Sequence, residues 1–182
     1  MISRLAVIAG PTAVGKGTVV RRLLQEHPEI KLSVSATTRS PRPGEVDGVD
    51  YFFWTQERFD EAIRNHELLE YATVHGSNRY GTPRKPVEEA LARGEKIVLE
   101  IDIQGARQVK AAMPDALTIF ILPPSWEELV RRLSTRGTEG AEEQAKRLET
   151  AVGELAAADS FDHSVVNDDV AKCAEEVVEL MS

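Results

Sequence analysis

A chain of 182 residues fits one compact domain with a sizeable core and leaves little room for a second independent one. Hydrophobic residues at 42% and charged residues at 29% match an ordinary globular protein, and a formal net charge of −8 argues against a general binder of nucleic acid or anionic membrane, which needs a net-basic face. The one cysteine, Cys173, excludes an internal disulfide and suits a reducing cytoplasm, and no apolar stretch approaches the length of a membrane span or a signal segment.

Residues 5–9 (LAVIA) are continuously apolar, which predicts a strand covered on both faces, as in a parallel sheet, and Gly10-Pro11 stops it. From Lys16 onward Val19, Val20, Leu23 and Leu24 recur at helical spacing until Pro28. Residues 30–34 read as a second strand, and residues 36–49, rich in Pro, Gly and charge, as a functional loop. Residues 51–54 form a short aromatic strand, after which Thr55 is placed to cap a helix with Phe59, Ala62 and Ile63 inside. Residues 68–74 and 79–81 are further short strands. Residues 86–93 predict a helix with Pro86 in its first turn, ended by Gly94. Residues 96–103 (KIVLEIDI) predict a strong strand, followed by a helix through Val109 to Met113 and a buried strand over 117–122. Ser125 and Glu128 match a capping box at the head of a helix that Leu129, Val130 and Leu133 continue and residues 135–140 break. A charged helix over 141–158, a short strand over 163–166 and a last helix capped by Asp168 or Asp169 complete the chain. This order predicts an α/β core over 1–34 and 86–182, an inserted α+β subdomain over 35–85 and a small helical lid over 135–147.

Gly10, Pro11, Thr12, Ala13, Val14, Gly15 and Lys16 supply G-x-x-x-x-G-K between the first strand and its helix. Successive backbone N–H groups can there point into one concavity, the helix N-terminus adds its dipole, and Lys16 reaches the outer phosphates. The next residue is ordinarily Ser or Thr, whose hydroxyl binds Mg²⁺. Here it is Gly17, so either Thr18 substitutes or phosphates and water hold the metal.

Arg39 and Arg42 stand three apart in a Pro-stiffened loop, where forked guanidinium groups suit a second anionic substrate. The segment SVSATTRSPRPGEVDGVDY (33–51) resembles the nucleoside-monophosphate-binding segment of guanylate kinases. The resemblance continues in order through LLEYA (68–72), YGT (80–82), LEIDIQGA (99–106), PPSWEEL (123–129), RLSTRGTE (132–139) and VVND (165–168), nearly the whole chain. It implies a phosphate-loop, three-layer α/β core with a central parallel sheet. It implies that Arg39, Arg42, Tyr51 and Tyr80 bind the GMP phosphate, and that Ser35, Glu70, Thr82 and Asp102 surround the guanine. It further implies that Arg136 and Arg147 reach from the lid to the ATP phosphates and that Asn167 lies near the adenine. Guanine offers two donors, N1–H and the N2 amino group, that a buried Glu70 would accept, whereas adenine lacks that donor face. Asp102 could also hold a metal-bound water. Glu100 shares its side of the strand, and its role stays open.

The activity implied is ATP + GMP ⇌ ADP + GDP in purine metabolism, with Mg²⁺ accompanying ATP, in the cytoplasm, with no nucleic-acid, membrane or obligate protein partner. The catalytic residues would be Lys16, Arg39, Arg42, Arg136 and Arg147. Two rivals are a kinase for another monophosphate, favoured by Gly15-Lys16-Gly17-Thr18, and a catalytically inactive scaffold domain, disfavoured by the intact loop.

Overall fold

The computed structural model describes residues 3–74, 76–134 and 140–182. In chain order these form β1 (Leu5–Ala9), α1 (Lys16–Glu26), β2 (Ile30–Leu32), β3 (Ala36–Thr37), β4 (Phe52–Phe53), α2 (Gln56–Arg64), β5 (Leu68–Val74), β6 (Asn78–Pro83), α3 (Arg84–Ala92), β7 (Lys96–Glu100), α4 (Ile103–Ala112), β8 (Leu117–Leu122), α5 (Trp126–Ser134), α6 (Ala141–Ala156), β9 (His163–Val166) and α7 (Val170–Leu180).

Alternation along β1 explains the layers. Ala6 and Ile8 pack with Val19, Val20 and Leu23 of α1 and with Cys173, Ala174 and Val177 of α7. Leu5, Val7 and Ala9 pack on the other face with Val87 and Ala90 of α3 and Ala106 and Val109 of α4. A strand with helices on both sides must be apolar at every position, and all five residues of β1 are buried. Each large side chain hidden this way contributes roughly 1.5–3 kcal/mol. β1 is the middle strand of a five-stranded sheet of order β2-β7-β1-β8-β9, parallel at every pairing.

A second, four-stranded sheet of order β4-β3-β6-β5 is antiparallel except between β3 and β4. It has its own small core of Ala36, Phe59, Ala62 and Leu68. Thr55 caps α2 as expected, its hydroxyl accepting from Arg58 N at 3.1 Å. The bounds expected for β1, β5, β8 and β9 agree with the structure.

Other boundaries moved for local reasons. β7 stops at Glu100, short of residue 103, because Asp102 turns the chain and caps α4, its Oδ1 accepting from Gly105 N at 2.6 Å. Asp102 therefore does not continue the strand beside Glu100. Only half of the capping box forms: Ser125 Oγ accepts from Glu128 N at 3.1 Å, but the Glu128 carboxylate binds Arg131 and Arg132 instead of reaching back. α6 ends at Ala156 in a 3₁₀ turn, Ala157–Ser160, and Asp169, not Asp168, caps α7. Most of the break expected at 135–140, with Arg136, lies outside the described residues. Among the described residues no helix is long and apolar enough to cross a membrane.

Candidate functional site

The turn after β1 has two left-handed residues, Ala13 at φ 68° and Gly15 at φ 89°. Such a switch of handedness is the backbone pattern that can form an anion-binding concavity, though Val14 N already donates to Pro11 O at 3.3 Å and Thr18 N to Gly15 O at 3.1 Å. α1 starts at Lys16 with no acidic residue of its own in its first turn. Gly10 and Pro11 are buried where the loop leaves the sheet, and a Cβ on Gly10 would come within 2.8 Å of Ile121 O. Thr12 and Thr18 are exposed.

The loop is held from behind by parts of the chain far away in sequence. Val14 O accepts from Asn167 Nδ2 at 2.9 Å and from Arg132 Nη1 at 3.1 Å. A Cβ on Gly15 would lie 2.8 Å from Asn167 Nδ2, so the position requires glycine for space as well as for its φ. Asn167 is 3% exposed and gives one of its two amide hydrogens to this bond. Its Oδ1 is buried and has no partner among the described residues. Glu154 of α6 stands near the other limb of the loop, where burial pushes its carboxyl pKa up against the opposing influence of Thr12 and Lys16.

Lys16 lies across the carboxyl end of β7. Its Nζ donates to Ile101 O at 3.0 Å, which uses one of three ammonium hydrogens. Burial pushes its pKa down, and Glu100, Asp102 and Glu154 partly restore it. Gly17 faces Glu100: a Cβ there would lie 3.3 Å from Glu100 Oε1. A carboxylate thus occupies the side of the helix start from which a Ser or Thr hydroxyl would project. Hard oxygen donors at Glu100 and Thr18 fit Mg²⁺, which keeps several of its waters. Among the described residues no group of three or more His, Cys, Asp or Glu could hold a metal ion.

Gly17→Ser is therefore expected to fold, because the flexible Glu100 carboxylate can yield a few tenths of an ångström. It should also tighten the apparent Mg²⁺ requirement by a few-fold at unchanged kcat. Magnesium titrations of the steady-state rate test this; abolished turnover in a folded variant would show that the loop works otherwise.

The second half of the site lies where the two sheets meet. Glu70 of β5 is 7% exposed, and its Oε1 accepts from Thr82 Oγ1 at 2.8 Å. Burial, with a smaller push from Asp102, raises its pKa to about 7 against the hydrogen bond from Thr82. A Cβ on Gly105 would stand 3.0 Å from both Glu70 Oε2 and Asp102 Oδ1, so the bare backbone of α4 lets two carboxylates converge. Ser35 is half-buried at the edge of this cluster, its carbonyl accepting from Phe52 N at 2.9 Å.

Arg39 makes a forked pair with Glu45 at 2.8 and 3.0 Å and donates to Ser40 O at 2.9 Å. Its guanidinium lies 5.3 Å from the Tyr51 ring centroid, and the Tyr51 and Tyr80 rings meet edge to face at 6.0 Å. Glu45 Oε1 also accepts from Arg42 N at 2.7 Å. The Arg39 guanidinium and that backbone bond hold the Glu45 carboxyl down to about 2. Arg42 projects from the exposed loop and Arg147 is half-buried on α6.

Sequence reasoning missed Arg132, Glu154 and Glu45. Only Glu45 left a local signal, a carboxylate three residues after Arg42 and six after Arg39 in a Pro-Gly turn. A cavity of about 640 Å³ is lined by Leu5 and Leu117, the first residues of β1 and β8. It lies at the amino ends of the strands, whereas the loop and Glu100 lie at the carboxyl ends, where open parallel sheets gather their ligands.

Known proteins resemble this chain over nearly its whole length. The family profile described as "Guanylate kinase" matches residues 2–182. The guanylate kinase of Leifsonia xyli subsp. xyli (strain CTCB07) is 64% identical over 177 residues, covering 97% of this chain and 70% of the relative. That of Cutibacterium acnes (strain DSM 16379 / KPA171202) is 61% identical over 178 residues, covering 98% and 89%. Among solved structures, guanylate kinase from Anaplasma phagocytophilum superposes with a TM-score of 0.74 at 34% identity, covering 99% of this chain and 85% of that one.

Proposed function

The chain belongs to the guanylate kinase family, and from that membership we infer that it transfers the γ-phosphoryl group of ATP to GMP, giving ADP and GDP. The observation in the fold that best supports this acceptor is the buried Glu70 carboxylate. It sits beside Thr82 and Asp102 and is joined to the phosphate loop through residues 100–102.

The reaction requires little covalent chemistry from the protein. An oxygen of the GMP phosphate, already ionised, attacks the γ-phosphorus while the bond to the ADP oxygen breaks, so no general base is needed. The amides of Gly15, Lys16 and Gly17 and the Lys16 ammonium hold the donor phosphates. Arg39, Arg42, Tyr51 and Tyr80 hold the acceptor phosphate, with the two arginines offsetting the repulsion between substrates. Tyrosine hydroxyls do this without adding charge. Glu70 accepts from guanine N1–H and N2–H, and Thr82 fixes the orientation of its carboxylate. Arg136 and Arg147 complete the charge from the lid. Mg²⁺ carried by ATP would add positive charge at the transferring group, with Glu100 and Thr18 as the residues placed to hold its water shell.

On the same reading, residues 35–85 act as the GMP-binding insert, residues 135–147 as the lid and the remainder as the core. Asn167 serves the ATP side by anchoring the loop and presenting Oδ1 towards the base. The protein would act in purine nucleotide metabolism, and its single free, buried Cys173 suits a reducing cytoplasm.

A coupled ADP-release assay with GMP, AMP, CMP and UMP tests the acceptor. GMP should exceed AMP in kcat/KM by roughly 10³-fold or more, because AMP leaves a buried carboxylate unpaired. A preference for AMP would overturn the assignment.

A further inference from the structure

β5 belongs to the small sheet by its pairing with β6, yet its first three residues face three different environments. Leu68 packs in the core of the small sheet with Phe59 and Ala62. Leu69 is 3% exposed and packs in the main core with Val87, Ala106 and Val109. Glu70 turns to Thr82 and to the bare backbone of Gly105. The register against β6 shifts between Leu68 and Glu70, and an irregularity of this kind re-aims side chains out of strict alternation.

β5 is also an edge strand, with β6 on one side only. An edge leaves backbone N–H and C=O groups without strand partners. At Tyr71 one side chain of α4 takes both: Tyr71 N donates to Gln108 Oε1 at 3.2 Å, and Gln108 Nε2 donates to Tyr71 O at 3.2 Å. A primary amide carries donor and acceptor on one rigid plane, so it stands in for a residue of the missing neighbour strand. Gln108 follows Gly105 by three residues and so lies on the same face of α4. Glu70 is thus set between two attachments to the main core, the Leu69 side chain before it and the Tyr71 backbone after it. Apolar contact alone tolerates sliding, because it is not directional, whereas the two hydrogen bonds fix the strand along and across α4.

We propose that Gln108 is a positioning residue for guanine recognition: its two-way clasp on the Tyr71 backbone holds the neighbouring Glu70 carboxylate in place over Gly105. This rests on the reading that Glu70 meets the guanine. Gln108 acts through Glu70 and not on the nucleotide itself, so its loss weakens GMP and spares ATP. Both bonds are needed, and only a side-chain amide at this position supplies both.

The test uses the full chain with Gln108→Met, Glu70→Gln and the double variant, followed by kcat and by separate KM values for GMP and ATP, with AMP as the competing acceptor. Methionine keeps the length and apolar stem of Gln108 and is a good helix former, so α4 is preserved while both hydrogen bonds are lost. Gln108→Met should raise KM for GMP roughly ten- to thirtyfold, below the ~10²-fold scale of a full 1 Å misplacement, and change kcat and KM for ATP by less than about twofold. The preference for GMP over AMP should fall by the same factor. In the Glu70→Gln background the same substitution should change kcat/KM for GMP by less than about twofold, since residues that act as one unit are not additive. Equal losses in both backgrounds would overturn the clasp and leave the role of Glu70 standing. A parallel rise in KM for ATP would mark a general loosening of the fold and overturn the clasp as well. A Glu70→Gln variant with native GMP kinetics would overturn the clasp together with the reading of Glu70. Hydrogen exchange at the Tyr71 amide reads the clasp without turnover: it should quicken in Gln108→Met, and an unchanged rate would overturn the proposal.

Discussion

Replacing Lys16 with methionine should leave about a thousandth of kcat or less, while the protein stays folded. Methionine keeps the apolar length of the stem and removes only the ammonium. That group carries the positive charge of the phosphate loop and sits at the carboxyl end of β7, bonded to Ile101 O at 3.0 Å. Glu100, Asp102 and Glu154 all act on it. Without it the donor phosphates would meet carboxylates with no cation between, so binding of ATP should weaken as well as its reaction. One preorganised donor to developing charge is worth about 2.7–4 kcal/mol, or 10²–10³ in rate, and lost neutralisation adds to that. Removing a charge that burial already disfavours should cost little stability, so the thermal midpoint should move by only a few degrees. Steady-state kinetics with calorimetry on the same preparation tests both parts. A variant retaining a tenth of wild-type kcat would remove Lys16 from the mechanism.

Glu70→Gln should erase most of the preference for GMP and, with it, a pH dependence. The native carboxyl titrates at about 7 because burial disfavours its charge. Guanine donors need the ionised form. The GMP KM of the native protein should therefore climb as pH falls below about 7 and level off above it. The GMP phosphate, whose second pKa is about 6, titrates nearby, but it does so equally in both proteins. The difference between native protein and variant isolates Glu70. Glutamine places an amide donor among guanine donors, so kcat/KM for GMP should fall roughly 10²- to 10⁴-fold, with KM for ATP unchanged.

Stability carries the opposite sign. The folded pKa is raised above the unfolded value of 4.5, so the stability advantage is fully present below pH 4.5 and is lost as pH rises through about 7. That loss amounts to roughly 3 kcal/mol without ligand. Denaturant titrations at pH 5 and pH 8 should show it in the native protein and not in the glutamine variant. A flat native KM profile would mean that Glu70 does not meet the base.

Much of this site could be read in the sequence, and the part that could not shares one physical cause. The phosphate loop and the strands β1, β5, β8 and β9 declare themselves through contiguous residues, by glycine spacing in the loop and by short runs rich in apolar and β-branched residues in the strands. The boundary at Glu100 was hidden because Ile101 and Ile103 extend the alternation past the point where the Asp102 side chain captures Gly105 N and starts a helix. Asp102 could be read as a ligand or a cap, and the sequence alone does not rank the two. The residues that hold the loop were invisible for a different reason. Arg132 and Asn167 meet Val14 across 118 and 153 residues of chain, and no periodicity marks such a meeting. Glu154 is one acid among several on a charged helix, and only the approach of Thr12 distinguishes it. For Glu128 the expected cap lost to two arginines on its own helix, which offered stronger charge-assisted bonds.

The end of β7 has a consequence for how the two substrates can be spaced. Glu100 faces the start of α1, Ile101 O holds Lys16, and Asp102 joins Gly105 and the Glu70 cluster. Three successive residues thus touch both halves of the site, and they issue from a strand hydrogen-bonded to β1 and β2. On the proposed assignment of the two sites, this short stretch is a ruler between donor and acceptor. A peptide of fixed length does not stretch, so motion elsewhere in the protein can enclose the substrates without resetting the gap they must cross. One residue inserted between Glu100 and Asp102 would lengthen the ruler by about 3 Å, comparable to the whole in-line reaction distance.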